Sequence, residues 1–354
     1  MRQAPSPPLR VVTERPFNAE VLLEQHQDVL TPNDRFYVRN HFAVPQLSPA
    51  TWTLTVDGDV GREAIWSYNE LLALPAHTLA ATLECAGNGR SGLQPSVTGE
   101  PWGYGAVSTA EWTGVSLRDV LERSGVRDGT LEIVIEGADA GQVPDAGGVI
   151  NYVRSMPLDQ AMHPDVLLAY RMNGEVLPAD HGYPVRLIVP GWYGMGSVKW
   201  VRHITAVAES FRGFYQVDRY VVPLDGQPDR EPLALRDMEV RSVIARPAEG
   251  ENLEPGSNRI EGFAWSGIAP PERIEVSVDG GATWRDAKWT SDIERYAWRS
   301  WSCEWDATSP GTIELMSRAT DANGRTQPLG QRWNTLGYCN NAVQRVTVTV
   351  VQPR

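Results

Sequence analysis

The chain has 354 residues, more than the roughly 250–300 that a single core usually supports, so two domains are expected. A hydrophobic share of 42% with 21% charged residues is ordinary for a globular protein, and no run of about 18 apolar residues offers a membrane span. The net charge of −12 argues against a nucleic-acid partner, and any small anion would have to be drawn by arginines gathered inside a pocket.

Along the chain, residues 1–10 carry prolines and two arginines but no apolar stretch of the secretory kind, so a cytoplasmic location is expected. Residues 52–56 read as a strand. Ser67 and Glu70 form a capping box ahead of Leu71 and Leu72, and Pro75 stops that helix. Ser116 and Asp119 repeat the device, opening a helix through Val120 and Leu121 that ends near Gly125. Strands are expected at 131–135 and 185–189. Asn173-Gly174, between apolar runs at 167–172 and 175–177, is a strong hairpin signal. Strands and helices do not alternate regularly, which indicates an α+β domain rather than a doubly wound sheet.

Residues 220–236 are rich in proline and charge and read as a connection, with a first domain over 1–230 and a second over 231–354. Beyond it come alternating runs at 259–265, 273–278, 284–289, 296–305, 312–319 and 344–351. Turn sequences such as Asp279-Gly280-Gly281 separate them. Short strands at near-regular spacing predict an immunoglobulin-like β-sandwich.

Cys85, Cys303 and Cys339 make neither a disulfide framework nor a C-x-x-C zinc spacing, and the six histidines include no H-E-x-x-H pattern. The informative segment is Thr82-Leu83-Glu84-Cys85-Ala86-Gly87-Asn88-Gly89-Arg90. Its small residues let the backbone approach a ligand closely, a soft thiolate suits a thiophilic metal, and Arg90 would help hold Cys85 deprotonated. On local chemistry alone, a buried filler is the favoured reading of Cys85.

The wider context resembles the sulfite oxidase family. The segment around Cys85 is similar to that family's metal-binding cysteine loop. Phe36-Tyr37-Val38-Arg39-Asn40-His41 resembles its cofactor loop. Also similar are 101–110 (Pro-Trp-Gly-Tyr-Gly-Ala-Val-Ser-Thr-Ala), Asp180-His181-Gly182-Tyr183-Pro184-Val185-Arg186, and the stretch from Pro190-Gly191 to Ser197-Val198-Lys199-Trp200. Residues 274–284 look like the family's C-terminal dimerisation domain. The likeness runs in matching order over about residues 33 to 350.

That resemblance implies a molybdenum–molybdopterin cofactor, with Cys85 as the protein ligand to the metal. Tyr37, Val38, Arg39, Asn40, His41, Asp139, His181, Arg186, Ser197, Val198 and Lys199 would hold the pterin and its phosphate. Arg186 offers a planar fork and Lys199 a point charge, both suited to phosphate. Arg39, Arg90, Trp102 and Tyr152 would form the substrate pocket, two guanidiniums replacing the water lost by a small oxyanion. The family's pocket takes a further arginine from the C-terminal domain, for which Arg295 and Arg299 are both candidates. Gly89 stands where sulfite oxidases often carry an arginine. The implied reaction is oxidation of sulfite to sulfate. No heme is expected in this chain, so electrons would pass to an external acceptor such as a c-type cytochrome, and a homodimer is implied. The alternatives are reduction of nitrate or a sulfoxide on the same scaffold, or a two-domain binding protein without an enzymatic role.

Overall fold

A computed structural model of the chain describes residues 9–26, 28–222 and 232–352. Its N-terminal part is built on two five-stranded sheets. In the first, Ala76–Glu84, Val107–Ser116 and Leu167–Met172 run antiparallel in that order. Glu175–Val176 and Arg186–Ile188 both pair with Leu167–Met172. The second sheet has the order Ala64–Ser67, Thr53–Gly58, Val201–Val207, Glu132–Val143, Gly148–Pro157. Its one parallel pair joins Thr53–Gly58 to Val201–Val207, whose partners are distant in sequence. A hairpin of Leu9–Glu14 and Phe17–Val21 forms its own two-stranded sheet and packs on the first sheet through Val21.

Local signals act as expected at several points. Ser67 and Glu70 form the reciprocal capping box ahead of the helix Tyr68–Leu72. Asn173 and Gly174 both have positive φ, 51° and 75°, the geometry of a two-residue primed turn, and they join Met172 to Glu175. At Ser116 the outcome differs. The helix Leu117–Ser124 forms, but the Ser116 hydroxyl is buried and caps nothing among the described residues. What holds this helix is its buried stripe of Leu117, Val120, Leu121 and Ser124, at the i, i+3, i+4, i+7 spacing of one helical face.

The C-terminal part consists of two facing sheets. One has the order Arg241–Arg246, Gly256–Trp265, Arg299–Ala307, Lys288–Trp289. The other has the order Asn252–Leu253, Arg345–Val350, Gly311–Asp321, Pro271–Ser277, Arg285–Asp286. The run at 284–289, expected as one strand, divides at Ala287. Arg285–Asp286 pairs with Pro271–Ser277, whereas Lys288–Trp289 pairs with Arg299–Ala307, so the segment passes from one sheet to the other. The strand Arg241–Arg246 gave no signal in the sequence reading. The expected domain boundary at residue 230 lies outside the described residues. The described flanks of that connection pair with each other, Val221–Val222 against Leu233–Ala234.

The sandwich has its own core, including Ile260, Val276, Trp301, Leu315 and Val348. A larger core crosses between the two parts. Val243, Phe263, Trp265, Trp298 and Tyr338 of the sandwich pack into the cluster that holds Leu54, Val115 and Ile204. Apolar burial contributes about 25 cal/mol per Å², so a continuous cluster of this kind resists hinging between the parts. The face carrying the Cys85 loop lies against this interface, as the contacts below show.

Candidate active site

Cys85 follows directly on the strand Ala76–Glu84, and its backbone is tied on both sides. Its N–H donates to the Ala106 carbonyl at 2.9 Å and its carbonyl accepts from Asn88 N–H at 2.9 Å. The Asn88 side chain then bridges Glu84 and the Ala106 N–H, at 3.0 and 3.1 Å. Gly87 has no side chain because the Arg90 guanidinium occupies the space a Cβ would need. Arg90 donates to the Glu100 carbonyl at 2.8 Å and to the Leu336 carbonyl at 3.3 Å, and lies over the Tyr338 ring.

Two adjoining cavities share Arg39, His41, Cys85 and Tyr220 as common wall. The inner one, about 640 Å³, is lined by Tyr37, Asp139, Tyr152, His181, Arg186, Ser197 and Lys199 among others. The outer one, about 910 Å³, adds Arg90, Glu100, Trp102, Tyr215 and Tyr338. Cys85 therefore stands at the junction of the inner cradle and the outer vestibule.

The inner cavity is electrostatically unbalanced. Arg39, Arg186 and Lys199 line it, and Asp139 is the one carboxylate in the same wall among the described residues. Burial lowers the Lys199 ammonium well below its usual range, and the neighbouring Arg186 adds to the effect. Burial likewise brings Arg186 down to about 10, although its guanidinium donates to the His181 carbonyl at 2.9 Å and the Ser197 carbonyl at 3.2 Å. His181 is pushed down to about 3 and His41 well below its ordinary value, burial first and the cations second, so both imidazoles are neutral. Burial raises Asp139 to about 6 against the pull of Lys199, and its Oδ1 has no partner among the described residues. Such a site suits a bound anion beside groups able to donate to a carboxylate. For Cys85 itself burial pushes the thiol up, outweighing the opposite pull of Arg39 and Arg90. Arg90 thus favours the thiolate as expected, and in the bare chain burial outweighs it; metal binding would displace the proton.

The sequence-derived residues divide into three groups. Tyr37, Arg39, His41, Cys85, Asp139, Tyr152, His181, Arg186, Ser197 and Lys199 line the inner cavity, and Arg90 and Trp102 line the outer one. Trp102 is fully buried and its indole N–H has no partner among the described residues. Val38, Asn40 and Val198 stand behind the wall. Val38 bridges to Ala19, Asn40 accepts from the Lys199 ammonium, and the Val198 carbonyl accepts from Leu187 N–H. Asn40 is fixed by Asn18, whose side-chain oxygen takes the Asn40 N–H at 2.7 Å, so the N-terminal hairpin positions this loop.

One expectation needs correction. Neither Arg295 nor Arg299 lines either cavity. Arg299 lies over the Trp289 ring and donates to the Pro271 carbonyl within the sandwich, while Arg295 faces Asp165 at 3.5 Å on the surface. The sandwich reaches the vestibule with Tyr338 instead. Tyr152 lines the inner cavity, where its hydroxyl donates to the Met195 carbonyl at 2.8 Å and its ring stacks on His41. Tyr220 and Tyr215 escaped the sequence reading. Tyr220 sits at the start of the stretch taken as a connector, and no local pattern separates a buried tyrosine there from a linker residue.

Comparison with known proteins gives this arrangement a family. The oxidoreductase molybdopterin binding domain matches residues 41–215, and the Mo-co oxidoreductase dimerisation domain matches residues 233–351. The sulfite oxidase of Gallus gallus is 38% identical over 96% of this chain and 77% of its own length. Mitochondrial sulfite oxidase of Mus musculus is 37% identical over 98% of this chain and 66% of its own. Nitrate reductase [NADH] 1 of Phaseolus vulgaris is 34% identical over 98% of this chain and 43% of its own. The crystal structure of the sulfane dehydrogenase SoxCD from Paracoccus pantotrophus superposes with a TM-score of 0.83 at 28% identity, over 99% of this chain and 89% of that one.

The residues present fit a molybdenum–molybdopterin cofactor. The cation-rich cradle suits a phosphate, and the unpartnered Asp139 oxygen suits ring amines. Among the described residues no group of three His, Cys, Asp or Glu side chains could hold a metal ion, so a metal at Cys85 would take its other donors from the organic cofactor. Matched across both of its domains, the chain belongs to the sulfite oxidase family of molybdopterin-dependent oxidoreductases.

Proposed function

We propose that this protein oxidises sulfite to sulfate and passes the electrons to an external acceptor, with residues 1–230 as the cofactor domain and 231–354 as a dimerisation domain. The observation that carries this reading is the position of Cys85, in a wall common to a cradle lined by Arg186 and Lys199 and a vestibule bearing Arg90. When bound, the cofactor supplies the two-electron redox chemistry and the oxygen that sulfite acquires.

The chain's own part is binding and orientation. Cys85 supplies one electron-rich anionic ligand. Arg186, Lys199, His181 and Ser197 hold the cofactor's phosphate end, and Asp139 accepts from its ring amines. Arg39 and Arg90 clamp the substrate anion on the vestibule side, and the free Trp102 N–H offers a further donor. Tyr338, Tyr215 and Tyr220 narrow the vestibule and shed bulk water, which strengthens each charge contact within it.

Nitrate reduction is the second reading, favoured by the likeness to the Phaseolus vulgaris enzyme, since nitrate could take the same two arginines. Metal analysis of the purified protein, followed by steady-state assays with sulfite and with nitrate, separates the two. Stoichiometric molybdenum and turnover with sulfite are expected; molybdenum with turnover of nitrate alone would replace the first reading by the second. A c-type cytochrome is proposed as acceptor, because the acidic net charge of −12 suits a basic partner. A homodimer is proposed from the C-terminal domain.

A further inference from the structure

The residue next to the candidate ligand is gripped from the other domain. Glu84 is 1% exposed, and its two oxygens accept from Arg241 Nη1 and from Trp265 Nε1, each at 2.8 Å. Both donors belong to the sandwich, on the strands Arg241–Arg246 and Gly256–Trp265. Arg241 Nη1 also donates to the Asn88 carbonyl at 3.1 Å. Its Nη2 stands over Gly89, where an added Cβ would come within 2.5 Å of it. Gly89 therefore leaves room for a guanidinium that arrives from the second domain.

The rest of the loop is held from the same side. Cys339 N–H donates to the Ala86 carbonyl at 2.9 Å, and the Asn340 amide donates to the Gly89 carbonyl at 2.8 Å. Carbonyls at 86, 88 and 89 thus each take a donor from the sandwich, and Arg90 returns one to the Leu336 carbonyl. A loop between Glu84 and Arg90 with small side chains cannot fix its own shape by packing. Ties to Ala106 and Gly103 anchor it on the first domain, and the sandwich donors complete its shape, with two of them meeting on the Glu84 charge, which is costly to bury unpaired.

We propose that Arg241 is a positioning residue for the cysteine loop, so that Cys85 and Arg90 reach their places only with the sandwich docked. This rests on the reading of Cys85 as the metal ligand for its functional meaning, though the mechanical claim stands on the loop alone. It makes the second domain an internal wall of the active site as well as a dimerisation unit.

The test uses the full chain carrying Glu84→Gln with Arg241→Met, which removes the clamp without stranding a charge. Melting should stay within roughly 3 °C of the parent. In protein prepared without cofactor, iodoacetamide should alkylate Cys85 about tenfold faster than in the parent, followed by intact mass. In loaded protein the sulfite KM should rise about tenfold as Arg90 loses its register. A variant whose Cys85 labelling rate and sulfite KM equal the parent's overturns the proposal. Should the double variant not fold, hydrogen exchange on the parent decides: amides at 85–90 should be as protected as those of Arg241–Arg246, and fast exchange in the loop overturns it. Molybdenum content of the parent is a separate readout, and its absence would remove the cofactor reading while leaving the labelling result intact.

Discussion

The Nε2 atom of His41 and the phenol oxygen of Tyr220 lie 2.6 Å apart, closing the wall common to the two cavities. His41 also stacks on Tyr152 at 4.4 Å, and Tyr220 stacks on Tyr338 at 5.1 Å, so one chain of rings runs from the cradle to the vestibule. With His41 held neutral, the pair shares a single hydrogen bond that is shielded from water. Tyr220→Phe leaves the imidazole without that partner and should cost about 1–3 kcal/mol of stability. Urea unfolding of the variant and parent measures it; equal midpoints would mean that water satisfies His41.

Cys85→Ser should leave the fold intact and remove turnover. The hydroxyl is isosteric but hard, and a poor partner for a thiophilic metal. Circular dichroism should be unchanged while the molybdenum-to-protein ratio or the activity collapses. A serine variant with parental turnover would show that the sulfur is a filler.

Arg39→Gln should raise the sulfite KM steeply. A charged partner lost from a desolvated anion costs about 2–5 kcal/mol, which corresponds to roughly 30-fold or more in KM. Arg39 stands in the wall of both cavities, so some loss of cofactor is also expected, and KM is to be measured on the loaded fraction. An unchanged KM would place the anion elsewhere.

Acid sensitivity should come in part from His26, away from the site. Burial first, then Arg246 and Arg35, lowers this imidazole to about 4, and its Nε2 has no partner among the described residues. The unfolded chain binds a proton near pH 6.5 that the folded chain refuses until about pH 4, so stability falls as pH drops through that window. The full loss is roughly 3 kcal/mol for one group. His26→Gln should flatten the stability profile between those limits, as read by denaturant midpoints at several pH values. A profile as steep as the parent's would assign the acid response to other groups.

Much of the site was legible because its signals are local. The order of segments around Arg39, Cys85, Trp102, His181 and Lys199 is a property of the linear chain, as are the capping box at Ser67, the turn at Asn173-Gly174 and most of the sandwich strands. Those features depend on a few neighbouring residues or on strand alternation, and neither needs a partner from afar.

Only the tertiary structure decided which residues meet across long separations. Glu84 finds Arg241 and Trp265, Cys85 finds the wall it shares with Tyr220, and Tyr338 rather than Arg295 or Arg299 enters the vestibule. None of these has a sequence pattern, because a buried ion pair or ring stack is specified by the docking of two domains and not by spacing along either. Chain order by itself determined the family, the fold class and the candidate chemistry; the packing of the sandwich against the first domain determined how the cysteine loop is held.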